Sequence, residues 1–172
     1  YLPVFRKYLR KKGGMLGHVN GLPWYDLFAP LGKADKTYSI EEAKQYLIDT
    51  FTKLTPEMAD LMREAFENEW IDFYPRKGKE GGAFCAGAMW LKQSRILTNY
   101  DGYFGSVDTL AHELGHAFHN RQIENHAPLN QDYPMPVAET ASTFNEDRMY
   151  SCKTVLQDLP TVRLQDQPRI CM

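Results

Sequence analysis

The sequence lacks several features that would place it in special classes of protein. No apolar run approaches the roughly eighteen residues of a membrane-spanning helix, so we expect no membrane partner. The charges nearly cancel, with 20 Lys and Arg against 22 Asp and Glu, which leaves no basic excess of the kind that binds nucleic acid. Cys85, Cys152 and Cys171 are odd in number and form no CxxC pair. We therefore expect no disulfide framework and a cytoplasmic location.

The remaining composition, 43% hydrophobic and 24% charged, is that of an ordinary globular domain. Helical spacing of apolar residues and capping signals predict a mainly helical fold. The predicted helices are 2–12, which ends at Gly13-Gly14, one capped by Ser39 and Glu42, one beginning at Thr55-Pro56, one capped by Ser106 that runs to about Gln122, and Val137–Met149. Two short strands are predicted at Ala83–Trp90 and Arg95–Thr98. The basic residues from Arg6 to Lys12 are interpreted as the solvated face of the first helix.

The segment His112-Glu113-Leu114-Gly115-His116 carries the chemistry. Histidines four apart on a helix point the same way, so both imidazoles can reach one Zn²⁺ ion. Glu113 lies beside such an ion, where its carboxylate can accept a proton from water as a general base. The alternative is an ordinary pair of structural helix histidines. Gly115 weakens a helix by about 1 kcal/mol relative to Ala, so its small size needs another reason, such as a neighbouring backbone packed closely under the site.

A catalytic zinc site needs a third protein ligand. The downstream candidates are Glu124, His126, Asp132, Glu139, Glu146 and Asp147. Glu139 opens the next helix, which can cross the helix that carries the two histidines. The Glu139 carboxylate can then point inward, so we predict Glu139 as the ligand. Glu146, two turns further on the same face, is predicted to hydrogen-bond a ligand histidine from behind.

Two other polar residues of the helix that carries His112 and His116 are candidates for a supporting role around the metal. Asp108 lies four residues before His112 on the same face, and its alternative is a plain first-turn acid that complements the helix dipole. His119 follows His116 by three residues, and its alternative is an ordinary packed or exposed histidine.

Three runs together resemble the oligoendopeptidase F branch of the thimet-oligopeptidase-like zinc peptidases: Asn99–Gly102, Asp108–His119 and Val137–Ser142. Tyr1–Val4, Tyr25–Leu27 and Gly81–Cys85 resemble the same family, so the similarity covers about residues 1–147. It implies a mainly α fold with a small β element, a truncated zincin-like metallopeptidase core. It also implies zinc ligation by His112, His116 and Glu139, with Glu113 as the general base.

The resemblance further implies a cleft for short peptides. Its candidate substrate-binding residues are Gly82, Ala83, Phe84 and Tyr100, near a strand edge to which an extended peptide can add. Residues 1–147 are predicted to be part of the catalytic core, and 148–172 a divergent, poorly ordered tail.

The sequence therefore predicts a zinc-dependent endopeptidase that hydrolyses short peptides. Members of that family are several times longer and stabilise the oxyanion with a segment C-terminal to the ligands, which this sequence does not contain. The alternative is a weakly active or inactive fragment that acts only as a zinc-binding or partner-binding piece. Surface exposed by truncation is then expected to promote self-association.

Overall fold

The structure, a computed structural model, describes residues 1–27, 29, 31 and 36–151, with the side chains of 150 and 151 excepted. It divides into two compact units, residues 1–35 and the part that begins at Lys36. In the described part, no helix is long and apolar enough to cross a membrane. The predicted tail falls largely on residues 152–172, which lie outside the described residues.

The first unit contains helix α1, Leu2–Met15, and a short 3-10 helix, Trp24–Asp26. The prediction that α1 ends at Gly13-Gly14 is wrong, because the helix continues through both glycines. A Cβ on Gly13 would lie 3.2 Å from the backbone nitrogen of Leu22, so this glycine permits a close backbone approach. The helix instead ends just before Gly17, whose φ of 84° is a conformation that glycine commonly adopts after a helix end.

The basic cluster of α1 is not wholly solvated. Lys12 is buried, and its Nζ donates a hydrogen bond of 2.7 Å to the carbonyl oxygen of Leu27. The sequence pattern could not separate Lys12 from its exposed basic neighbours, because its partner is a loop carbonyl fifteen residues away.

The second unit begins with helices α2, Ile40–Thr52, and α3, Pro56–Glu67, which pack against each other. Both predicted starts are confirmed. The Ser39 Oγ accepts from the Glu42 N–H at 3.2 Å, and the Ser39 N–H donates to the Glu42 Oε2 at 2.7 Å. Thr55 caps α3 through a single bond, in which its Oγ1 accepts from the Met58 N–H at 3.1 Å, and proline stands in the first turn.

A three-stranded sheet follows, formed by β1, Ile71–Asp72, β2, Phe84–Ala88, and β3, Gln93–Leu97. The strand order is β1-β3-β2, with β3 parallel to β1 and antiparallel to β2. The predicted pair of strands is confirmed, although β2 is shorter than predicted and β3 begins two residues earlier and ends one residue earlier. Strand β1 was not predicted, since two residues give no alternating pattern.

Helices α4, Phe104–Ile123, and α5, Met135–Ser151, complete the described chain and pack extensively on each other. Ser106 does not cap α4, contrary to the prediction. Its hydroxyl instead donates to the Asp101 carboxylate, which also accepts from the Tyr103 N–H at 3.0 Å. With this turn at Asp101, the N-cap of α4 is Tyr103, three residues before the predicted cap. Helix α5 continues through the predicted boundary at residue 147.

The hydrophobic core of the second unit lies where α2, α3 and the sheet meet one face of α4. Its largest fully buried apolar side chains are Phe51, Leu47, Met62, Leu110, Leu114, Met149 and Val107. This mainly helical architecture with one small sheet confirms the predicted fold class. It holds α4 between the sheet and α5, which sets the position of the histidines.

Candidate metal centre

Helix α4 presents His112 and His116 on one face, with their ring centroids 4.9 Å apart. The opposite face is fixed by burial of Leu110, Leu114 and Ala117 in the core. Because that apolar face cannot rotate out of the core, the two imidazoles are held towards α5.

Glu139, from the first turns of α5, completes a cluster with the two histidines. Its Oε2 lies 3.4 Å from the Nε2 of His112 and 3.7 Å from the Nε2 of His116. Tetrahedral coordination with bonds of about 2.0–2.2 Å separates ligand atoms by roughly 3.3–3.6 Å. The first distance lies within this range and the second is 0.1 Å above it, so the three side chains could hold one ion such as Zn²⁺, and within the described residues they are the one such group found.

The other ring nitrogen of His112 has a hydrogen-bond partner on α5. Its Nδ1 lies 2.8 Å from the Oε1 of Glu146, one of the residues predicted to support the site. A carboxylate can only accept here, so Nδ1 donates, and in the neutral imidazole the lone pair then belongs to Nε2, the nitrogen on the side of Glu139. This tautomer is the one that a metal ligand requires.

Replacing Glu146 by glutamine is expected to weaken zinc affinity by about 10- to 100-fold, because an amide holds the His112 ring less firmly than a carboxylate. Competition with a chromophoric zinc chelator would measure the change. Asp147→Asn, at the exposed neighbouring position, is the matched control and should bind zinc like the wild type. Equal affinity in both variants would show that Glu146 does not tune the site.

Ser142, to which the sequence analysis gave no role, orients the carboxylate of Glu139. It is fully buried, and its Oγ lies 2.8 Å from the Oε2 of Glu139 and 3.1 Å from the Glu139 carbonyl oxygen. A serine three residues after an acid is common on helices. Only the packing of α5 against α4 distinguishes this one from a solvent-exposed serine.

Glu113 points its carboxylate into a buried position. The residue is 4% exposed, and its Oε2 has no hydrogen-bond partner among the described residues. Burial raises the pKa of Glu113 to about 7; the charge of His112 opposes this rise, and those of Glu139 and Glu146 add to it. A buried, unpaired carboxylate oxygen is costly unless a ligand or reactant uses it, which supports the predicted role beside a metal.

Burial also lowers the pKa of His116, aided by His112 and opposed by Glu139. The imidazole of His116 therefore favours its neutral form, which is the form that binds metals.

Gly115 lies at a point where the backbones of α4 and α5 are in close contact. A Cβ there would stand 2.8 Å from the carbonyl oxygen of Ala141 and 2.9 Å from the Cα of Ser142. The structure thus supplies the reason expected from the sequence, a backbone packed directly under the motif. Only glycine lets α5 come near enough for Glu139 to reach both histidines.

The other two candidates on α4 do not join the three-residue cluster. Asp108 is partly buried, one turn before His112. His119 is also partly buried and packs its ring on Tyr133, with centroids 4.4 Å apart. Its Nδ1 has no hydrogen-bond partner among the described residues. A role for either residue in supporting the metal site stays a prediction.

Three of the four predicted substrate residues line one open cavity of about 220 Å³ between the start of β2 and α4. Its lining residues are Gly82, Ala83, Thr98, Asn99, Tyr100, Ser106 and Thr109. Thr109 is four residues before Glu113 on α4, so the cavity lies one helical turn from the buried carboxylate. Phe84 is not part of this lining. It is the first residue of β2 and is about half exposed.

Strand β2 presents a free edge, since in the described sheet it pairs only with β3. Asn99 fixes the segment that leads into it, because its Nδ2 donates to the carbonyl oxygens of Glu80 and Gly82 at 2.9 Å each. The sequence analysis placed Asn99 within a matching run but gave it no role. Its contact with Glu80 and Gly82 spans seventeen to nineteen residues, which local patterns cannot show.

The chain is similar to several known proteins. Oligopeptidase PepF of Bacillus subtilis is 39% identical over 150 residues, which are 85% of this chain and 22% of that protein. An oligoendopeptidase F homolog of Mycoplasma genitalium is 34% identical over 150 residues, 85% of this chain and 25% of its own. The solved structure of PZ peptidase A with an inhibitor aligns with a TM-score of 0.72 at 25% identity, covering 84% of this chain and 26% of that one.

The chain therefore spans about a quarter of the length of these relatives. The sequence model of peptidase family M3 matches residues 36–157, the part that contains the α4 and α5 cluster. These matches confirm the resemblance on which the predicted fold rested, and the chain belongs to peptidase family M3.

Proposed function

We propose that this chain forms the catalytic core of a zinc-dependent endopeptidase that hydrolyses short peptides. The observation that carries the proposal is the cluster of His112, His116 and Glu139. Glu113 is near enough to feel the charges of His112 and Glu139, and its buried Oε2 has no hydrogen-bond partner among the described residues. A cluster of two imidazoles and one carboxylate is the donor set of many hydrolytic zinc sites.

Each residue has a defined task in this proposal. His112, His116 and Glu139 hold the ion, which when bound acts as a Lewis acid towards a water and the scissile carbonyl. Glu113 takes a proton from the attacking water at its carboxylate and delivers it to the leaving amine. Glu146 and Ser142 keep the His112 ring and the Glu139 carboxylate in their orientations.

The peptide is proposed to lie along the free edge of β2 and bind through main-chain hydrogen bonds. A side chain of the peptide would then enter the cavity lined by Gly82, Ala83 and Tyr100. Tyr100 is nearly buried, and its hydroxyl donates to the Tyr38 carbonyl oxygen at 2.9 Å, so it forms a rigid wall.

The names of the relatives, an oligopeptidase and oligoendopeptidases, support short peptides as the substrate class. We propose a cytoplasmic location, from three cysteines that form no CxxC pair, and no nucleic-acid or membrane partner, from the balanced charge and the absence of a long apolar run in the sequence. Self-association is a further proposal, supported by exposed apolar side chains on α1 such as Leu2, Val4 and Phe5, and checked by sedimentation.

The proposal is tested by metal analysis and a quenched fluorescent peptide. One equivalent of zinc per chain is expected, with hydrolysis that stops when the metal is chelated and returns when zinc is added. Zinc binding without any hydrolysis would favour the alternative, a fragment that acts only as a zinc-binding piece. A chain that binds no zinc, and whose melting temperature does not respond to zinc, would contradict both.

A further inference from the structure

The contact between α4 and α5 contains little apolar surface to fix its register. Among the described side chains of α5, which end at residue 149, the buried ones are Ala138, Ser142, Asn145 and Met149. Their spacing of four, three and four residues is that of a helix-packing seam. Of these four side chains only Met149 is large and apolar, so hydrophobic packing along this part of the seam discriminates weakly between neighbouring registers.

Asn145 makes the directional contact in this seam. Its side chain is fully buried, and its Nδ2 donates a 3.0 Å hydrogen bond to the carbonyl oxygen of Ala111, the residue before His112. The same Nδ2 lies 3.0 Å from the position that a Cβ on Gly115 would occupy. Asn145 thus contacts the turn of α4 that carries both histidines.

Stability alone does not account for an asparagine here. Its Oδ1 is buried and has no hydrogen-bond partner among the described residues, which destabilises the folded state. An apolar side chain of similar shape avoids that loss. In helix pairs, a buried asparagine at a seam position is known to specify register at a cost in stability.

We propose that Asn145 is a positioning residue that fixes the register of α5 on α4, so that the carboxylates of Glu139 and Glu146 meet the imidazoles of His112 and His116. The inference rests on the proposed zinc site. A slide of one helical turn moves α5 by about 5.4 Å, which carries Glu139 out of reach of both Nε2 atoms and breaks the contact of Glu146 with His112.

The test compares Asn145→Leu, which removes the donor but keeps a branched side chain, with Met149→Leu in the same buried stripe. The Asn145→Leu variant is expected to melt at the same temperature as the wild type or higher, without metal. Its dissociation constant for zinc should rise at least tenfold. Met149→Leu should bind zinc like the wild type.

Asn145→Ala provides a second variant that adds no bulk near Gly115, and it should lose zinc affinity to a similar extent. Undiminished zinc affinity in either folded variant would overturn the register role. Loss of the fold in both would overturn it too, because Asn145 would then serve the fold rather than the site. These outcomes are distinct from failure of the proposed function, in which the wild-type chain itself binds no zinc.

Discussion

Replacing Glu113 by glutamine is expected to lower peptide hydrolysis by about 10²–10⁴-fold, the usual contribution of general acid–base catalysis. Glutamine keeps the size and the hydrogen-bonding oxygen of glutamate but cannot accept a proton at neutral pH. Zinc content should stay at one per chain, since Glu113 is not one of the three clustered ligand candidates. Initial rates with a quenched fluorescent peptide and metal analysis of the same samples would measure both effects.

The matched control is Glu67→Gln, which removes one carboxylate from the exposed end of α3. Its rate and zinc content should equal those of the wild type. A Glu113→Gln variant that cleaves at the wild-type rate would show that another group moves the proton. Loss of zinc together with activity would instead show that Glu113 holds the metal centre together.

The parts of the fold that the sequence predicted are those that local interactions decide. The starts of α2 and α3 depend on Ser39 with Glu42 and on Thr55 with Pro56, each within a few residues. The start of α4 was misplaced because two short-range signals compete there. Ser106 resembles a capping residue, but the Asp101 carboxylate binds its hydroxyl and organises an earlier turn.

The residues of the candidate site also divide into those that local spacing predicts and those that depend on packing between helices. His112 and His116 follow from helical spacing, and Glu139 and Glu146 from a second helix that had only to cross the first. Ser142 and Asn145 could not be found, because a small polar residue on a helix acquires its role only from the backbone against which it packs. The expected close approach at Gly115 was inferable, since glycine is otherwise unfavourable in a helix.

The same glycine provides the sharpest test of the packing, because two physical effects predict opposite signs. Helix propensity alone predicts that Gly115→Ala stabilises the protein by about 1 kcal/mol. The added methyl, however, would meet backbone atoms of Ala141 and Ser142 at 2.8 and 2.9 Å, and these cannot rotate away like the end of a side chain. Overpacking of this kind costs about 1–3 kcal/mol and is expected to prevail.

Gly105→Ala on the same helix is the matched control, because a Cβ there would meet no atom within 4 Å. Urea unfolding should show Gly105→Ala at or slightly above wild-type stability and Gly115→Ala below it. Zinc affinity should fall at least tenfold in Gly115→Ala alone, since α5 can relieve the clash only by moving Glu139 away from the histidines. A Gly115→Ala variant that is more stable and binds zinc normally would contradict the close approach of α5 to α4.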